Sequence, residues 1–331
     1  MLGRQYIVSL LSIFLISILI LAGCGAQSTQ EGKTAEEKEN TEKIMIQHEL
    51  GETEISGKPE KVVVLEYSFV DALASLGVTP VGIADDGKKE NIITSISDQI
   101  EEYTSVGTRK QPNLEVIHSL KPDLIIADLK RHKGIYEDLQ AISPTIVLPS
   151  LDGNYEDNIE AFPVIAKALG MSDEAEVRLK DHHNQIEELR AMIPSDEGRS
   201  VLPAVVTSNG FFGHSDKSYV GSLFTDLGFT HAITEEDAKG LQEYLDSPYL
   251  KMNLEQLVEF NPDILFLMKS EDNTIEEEWE ENPLWENISA VKNNQVYEVD
   301  RNTWAKFRGL ISSELIGKDA VNHLYEGITV E

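Results

Sequence analysis

The chain has 331 residues, 41% of them hydrophobic and 26% charged, enough apolar material for two lobes with separate cores. Lys and Arg number 28 against 58 Asp and Glu, a net charge of −30 that argues against nucleic acid or an anionic membrane surface as partner. Any local cluster of Arg and Lys is therefore informative.

Residues 1–23 read as an export signal: Arg4 is the only charged side chain, and Tyr6 to Leu21 is an apolar run broken only by serines. That run is short for a membrane span. Leu21, Ala22, Gly23 and Cys24 resemble a bacterial lipobox, in which the cysteine is lipidated and becomes the new N-terminus. Cys24 is also the only cysteine, which excludes an intramolecular disulfide framework. Gly25 to Lys43 has no large apolar side chain, so residues 24–43 form a lipidated flexible tether holding a soluble body just outside a membrane.

The body opens with a short two-stranded entry through Ile44, Ile46, His48, Gly51 and Ile55. An N-terminal α/β lobe then occupies residues 44–170. Its buried strands are Lys61–Leu65, Val81–Ala84, Leu124–Ala127 and Ile146–Leu148, continuous aliphatic runs of the kind a parallel sheet covers on both faces. Helices are expected over Phe69–Leu76, stopped by Gly77, over Asn113–Leu120, and over Gly153–Leu169 with a kink at Pro163.

From Ser172 to Ile193 apolar or neutral groups recur at Ala175, Leu179, His182, Ile186, Leu189 and Ile193, steps of three and four that draw one buried stripe. Ser172 supplies a cap, Asp173, Glu174 and Glu176 complement the dipole, and Pro194 stops the helix. At about 1.5 Å per residue it spans roughly 30 Å. Residues 171–194 therefore form an inter-lobe helix.

In residues 195–331 the pattern restarts as a C-terminal α/β lobe. Strands are expected at Pro203–Val206, Ile264–Met268 and Val296–Val299, and helices at Tyr219–Leu227, Asn253–Phe260 and Ser312–Tyr325. Asn113, Leu114, Glu115, Pro122 and Asp123 match Asn253, Leu254, Glu255, Pro262 and Asp263 at a constant offset of 140. Leu76 and Gly77 match Leu227 and Gly228 in the same order, which argues for duplicated lobes. The acidic run Glu276 to Glu281 reads as a solvated helix face.

The sequence therefore predicts an α/β fold: two Rossmann-like lobes joined by one long helix, with a ligand cleft between them. Ligands of open α/β sheets bind beyond the carboxyl ends of the strands. The residues that follow the strands include Glu66 and Tyr67; Arg109 and Lys110; Lys130, Arg131 and His132; Ser208, Asn209 and Phe211; and Arg301, Trp304, Lys306 and Arg308. From these, Tyr67, Arg109, Arg131, His132, Asn209, Trp304 and Arg308 are the candidate ligand-binding residues. The planar fork of Arg suits a carboxylate-rich ligand through two parallel charge-assisted bonds. Each arginine also has the plainer reading of a surface ion pair, and Trp304 that of a core residue. Metalloprotease, hydrolase-elbow and nucleotide-loop motifs are missing, and the eight histidines form no zinc spacing, with His132 and His214 kept as minor candidates for haem or metal ligands. No enzyme and no resident cofactor is expected, a lipid-anchored α/β enzyme being the less favoured alternative.

The run Gly107 to Glu115, the turn Lys121, Pro122, Asp123 and the segment Trp304–Leu310 resemble the helical-backbone class of substrate-binding proteins that serve ABC importers of iron chelates, haem and cobalamin. Leu65–Gly77, Arg109–Glu115 and Asp128–Tyr136 are most similar to the ferric citrate-binding lipoproteins of that class. The resemblance implies a monomeric lipoprotein on the outer face of the cell membrane, capturing ferric iron as an anionic chelate. Ferric citrate is favoured over another siderophore or haem. It further implies that Glu115 and Glu255, one per lobe, dock onto the paired permease subunits, a place that dipole complementation alone would also explain.

Overall fold

The computed structural model describes residues 43–325 except 101, 196, 239–240, 242–243, 245 and 270–272. The export signal, Cys24 and the tether up to residue 42 lie outside the described residues. Strands β1 (Lys43–His48) and β2 (Gly51–Ser56) form the expected antiparallel entry, burying Ile46 and Ile55. The hairpin is tied to the first lobe by Thr53 Oγ1 donating to Thr145 O at 2.8 Å.

In the first lobe, β3 (Val62–Val64), β4 (Gly82–Ile83), β5 (Thr104–Ser105), β6 (Leu124–Asp128) and β7 (Thr145–Leu148) form a parallel sheet in the order β5-β4-β3-β6-β7. Every residue of β3, β6 and β7 is buried, as their unbroken apolar runs require. Helices Tyr67–Ser75, Leu114–Leu120 and Tyr155–Ala168 accompany it, the last opened by a reciprocal Asn154–Asp157 cap and carrying Pro163 inside.

The second sheet contains β8 (Ser200–Thr207), β9 (Gly210–His214), β10 (Thr230–His231), β11 (Tyr249–Met252), β12 (Ile264–Lys269) and β13 (Val296–Asp300), ordered β11-β9-β8-β12-β13 with β10 beside β8. The β8–β9 and β9–β11 pairs are antiparallel, so the second lobe departs from the expected parallel restart. The cause is local: a two-residue turn at Ser208–Asn209 ends on Gly210, whose φ of +154° suits glycine, and sends the chain straight back along β8.

The duplication survives this insertion. Asn113 accepts the amides of Glu115 and Val116, and Asn253 accepts that of Gln256. Each opens a seven-residue helix that ends on a left-handed residue, Lys121 or Asn261. Asp123 then accepts from Lys61 N at 3.0 Å, just as Asp263 accepts from Ser200 N at 2.9 Å, pinning the start of the central strand in each lobe.

The inter-lobe helix runs from Ser172 to Met192 and buries Ala175, His182, Ile186 and Leu189 as the periodicity predicts. Its cap differs: Met171 occupies that position without a side-chain bond, and Ser172 is already the first helical residue. The acidic run also needs correction. Glu276 on helix Ile275–Glu280 is fully buried, held by Thr274 Oγ1 at 2.6 Å and Lys269 Nζ at 2.5 Å.

The C-terminal helix Leu310–Leu324 packs on the inter-lobe helix, where His182 Nδ1 and Arg178 both meet Glu314. Phe307 and Leu310 join the hydrophobic core of the first lobe, although they follow the last strand of the second. The chain thus returns to its first lobe before it ends.

Candidate ligand-binding cleft

The carboxyl end of β3 places Glu66 at the centre of a charged cluster. No solvent reaches this carboxylate. One oxygen lies 3.4 Å from Arg109 Nη1 and the other is ion-paired with Arg131 Nε. Arg109 also donates its backbone N, Nε and Nη2 to Asp86 at 3.0, 3.0 and 2.8 Å, and its guanidinium lies over the Tyr67 ring at 4.5 Å. Burial alone would raise the Asp86 pKa, but the Arg109 guanidinium outweighs it and holds the carboxyl below its usual range. The short helix Leu129–His132 brings in Arg131, with Asp128 capping the Arg131 amide at 2.7 Å.

Arg308 directly follows Phe307, whose ring stacks on the Tyr67 ring that Arg109 covers. It is 5% exposed, and its Nη1 is buried without a hydrogen-bond partner. Lys306 bonds Asn91 Oδ1 at 3.1 Å; burial, Arg109 and Arg301 together push its ammonium down to about 8. Two residues of the second lobe lie nearby: Tyr249, which the sequence reading left out, and His214, which it kept as a minor candidate for a haem or metal ligand. Tyr249 donates its hydroxyl to Leu151 O of the first lobe at 2.5 Å, and its ring meets that of His214 at 4.7 Å. Burial, then Arg308 and His231, push His214 down to about 3, so it stays neutral.

Three of the expected ligand contacts sit behind this surface instead. Tyr67 is fully buried, donates to Asp85 O at 2.7 Å and stacks on Phe307 at 4.8 Å. His132 is fully buried; its Nδ1 accepts from Asp128 N, so Nε2 carries the proton and donates to Arg109 O at 2.7 Å. Trp304 packs among Phe224 and Phe266, with its indole N–H on Asp319 at 2.9 Å. The first two hold Arg109 in place; the third is a core residue of the second lobe. Asn209 is exposed in the β8–β9 turn. Glu115 and Glu255 are both exposed in the first turns of equivalent helices.

A groove of about 900 Å³ lies elsewhere, lined by Tyr155, Glu160, Ile186, Arg190, Ser222 and Asp226. It contains none of Arg109, Arg131 and Arg308. Among the described residues no group of three or more His, Cys, Asp or Glu side chains is arranged to hold a metal ion.

The model of the family described as "Periplasmic binding protein" matches residues 62–303, spanning both sheets. The chain belongs to that family. Among curated relatives, the chain is 46% identical over 319 residues to the Fe(3+)-citrate-binding protein YfmC of Bacillus subtilis, covering 96% of this chain and 97% of the relative. It is 35% identical to the Fe(3+) dicitrate-binding periplasmic protein FecB of Escherichia coli, covering 83% and 88%. A solved structure, Staphylococcus aureus SirA complexed with staphyloferrin B, aligns with a TM-score of 0.74 and 30% identity over 85% of this chain and 98% of that one.

Proposed function

We propose that this protein is an extracytoplasmic substrate-binding lipoprotein of an ABC importer that captures an anionic ferric chelate, ferric citrate in preference to others, and delivers it to the permease. The observation that carries the reading is Arg308: a guanidinium that is buried, has an unpaired Nη1, and directly follows Phe307, which stacks on the Tyr67 ring that Arg109 covers. A buried unpaired donor is costly and is satisfied by an acceptor from outside. A carboxylate-rich chelate supplies such acceptors in pairs and brings its iron already coordinated. The two relatives named for ferric citrate point to the same ligand.

The test is a fluorescence titration with ferric citrate, a hydroxamate chelate, a catecholate chelate and haem. Saturable, stoichiometric binding of ferric citrate without turnover supports the reading. Tight binding of haem or a neutral hydroxamate, with ferric citrate silent, overturns it.

Two further assignments belong to the same proposal. Cys24 carries the lipid and anchors a monomer to the outer face of the cell membrane; a Cys24→Ser protein that still incorporated labelled lipid would refute this. Glu115 and Glu255 dock onto the permease, and their exposure at equivalent helix starts supports that role. Reversing either charge should impair import and leave chelate affinity unchanged.

A further inference from the structure

Arg308 follows the last strand of the second lobe, yet its neighbours are built into the first. Phe307 stacks on Tyr67 and, with Leu310, joins the core of the first lobe. Asp71, on helix Tyr67–Ser75, has no solvent exposure and accepts the amides of Ile311 at 3.0 Å and Ser312 at 2.8 Å. Those are orphan donors in the first turn of helix Leu310–Leu324, so a carboxylate of the first lobe caps a helix that begins two residues after Arg308. From the second lobe, Tyr219 OH exchanges bonds with Gly309: it accepts from the amide at 3.0 Å and donates to the carbonyl at 2.8 Å. Gly309 is required there, since a Cβ would come within 2.5 Å of the Asp71 carboxylate.

Burial drives the Asp71 carboxyl up to about 6, against the pull of the Ser312 and Ile311 amides, which still leaves it ionised at neutral pH. A buried carboxylate of this kind is expensive, and among the described residues its hydrogen bonds run to the segment after Arg308.

We propose that Asp71 is a positioning residue for Arg308: by capping the helix that follows, it fixes that guanidinium on the first lobe beside Arg109 and Arg131, so the three form one preassembled anion site. This rests on the ferric chelate reading above.

A double-mutant cycle tests it. Ferric citrate dissociation constants are measured for wild type, Asp71→Asn, Arg308→Ala and the double variant, with amide exchange of Ile311 and Ser312 followed in parallel. Asp71→Asn should speed exchange at those two amides and weaken binding roughly tenfold, the size of one misplaced charge-assisted contact. In the Arg308→Ala background it should have no further effect. Equal losses in both backgrounds would show a merely structural role and overturn the proposal, as would unchanged exchange. If Asp71→Asn does not fold, Gly309→Ala displaces the same carboxylate without removing it and should give the same non-additive pattern; additivity there overturns the proposal equally. A wild type that binds no ferric citrate sinks the functional reading itself, and the proposal with it; a wild type that binds, with an additive cycle, sinks only the positioning role.

Discussion

Glu66 lies fully buried 3.4 Å from Arg109 and gives its second oxygen to Arg131, so one carboxylate sets the separation of two guanidiniums. Arg109 has Asp86 as a second partner, whereas Glu66 is the only ion-pair partner found for Arg131 among the described residues.

Removing that carboxylate leaves Arg131 largely buried and unpaired. Glu66→Ala should therefore cost about 3 kcal/mol of stability, the scale for breaking a buried pair by deleting one member. Urea denaturation reads it directly. An unchanged midpoint would mean that Arg131 finds water or another partner.

The arginines should rank unequally. Arg308 offers an unpaired Nη1 to the ligand, while Arg109 already spends its bonds on Asp86 and Glu66. Arg308→Ala should weaken ferric citrate binding by roughly tenfold or more, Arg109→Ala by less but with a larger loss of stability. The opposite order in titration would place the chelate over Arg109.

Lys306 supplies a pH signature. Its folded pKa is lowered to about 8, chiefly by burial and then by Arg109 and Arg301. A bound anion favours the ammonium and raises that value, so binding above pH 8 takes up a proton. Ferric citrate affinity should be flat below about pH 7 and fall as pH rises through 8, and Lys306→Met should abolish that fall. For stability the sign is opposite to that of a raised base: the lowered pKa contributes stability above the unfolded value, near 10.4, which is lost as pH falls through 8. A pH profile unchanged in Lys306→Met would remove Lys306 from the site.

Gly221 offers a control away from the ligand. A Cβ there would lie 1.9 Å from the Ser215 carbonyl oxygen, a backbone atom that cannot swing aside. Gly221→Ala should cost about 2 to 3 kcal/mol, the usual scale of overpacking. Its melting temperature should drop, while any folded fraction binds ferric citrate normally.

The parallel strands and the inter-lobe helix were legible in the sequence because each is written as a local pattern: unbroken aliphatic runs at β3, β6 and β7, and a stripe of period 3.6 through Ala175, His182, Ile186 and Leu189. The duplicated caps at Asn113 and Asn253 were legible for the same reason. The β8–β9 hairpin was not, since both its strands are buried and show no alternation. At the site, position after a strand pointed to Arg109, Arg131 and Arg308. It could not show that Tyr67 and His132 face inward, because a side chain's direction beyond a strand end depends on partners distant in sequence, such as Phe307 and the Arg109 carbonyl. Glu66 and Tyr249 carried faint signals: a lone carboxylate at a strand end among cations, and an aromatic opening a strand.

The return of the chain to its first lobe also bears on how the protein folds. Asp71 and Ile311 are 240 positions apart, and the core of the first lobe lacks Phe307 and Leu310 until nearly the whole chain exists. Contacts of such long sequence separation form late and slowly. A segment that ends before Phe307 and Leu310 therefore lacks part of the core of its own first lobe, which reaches its finished packing only once the last helix is present.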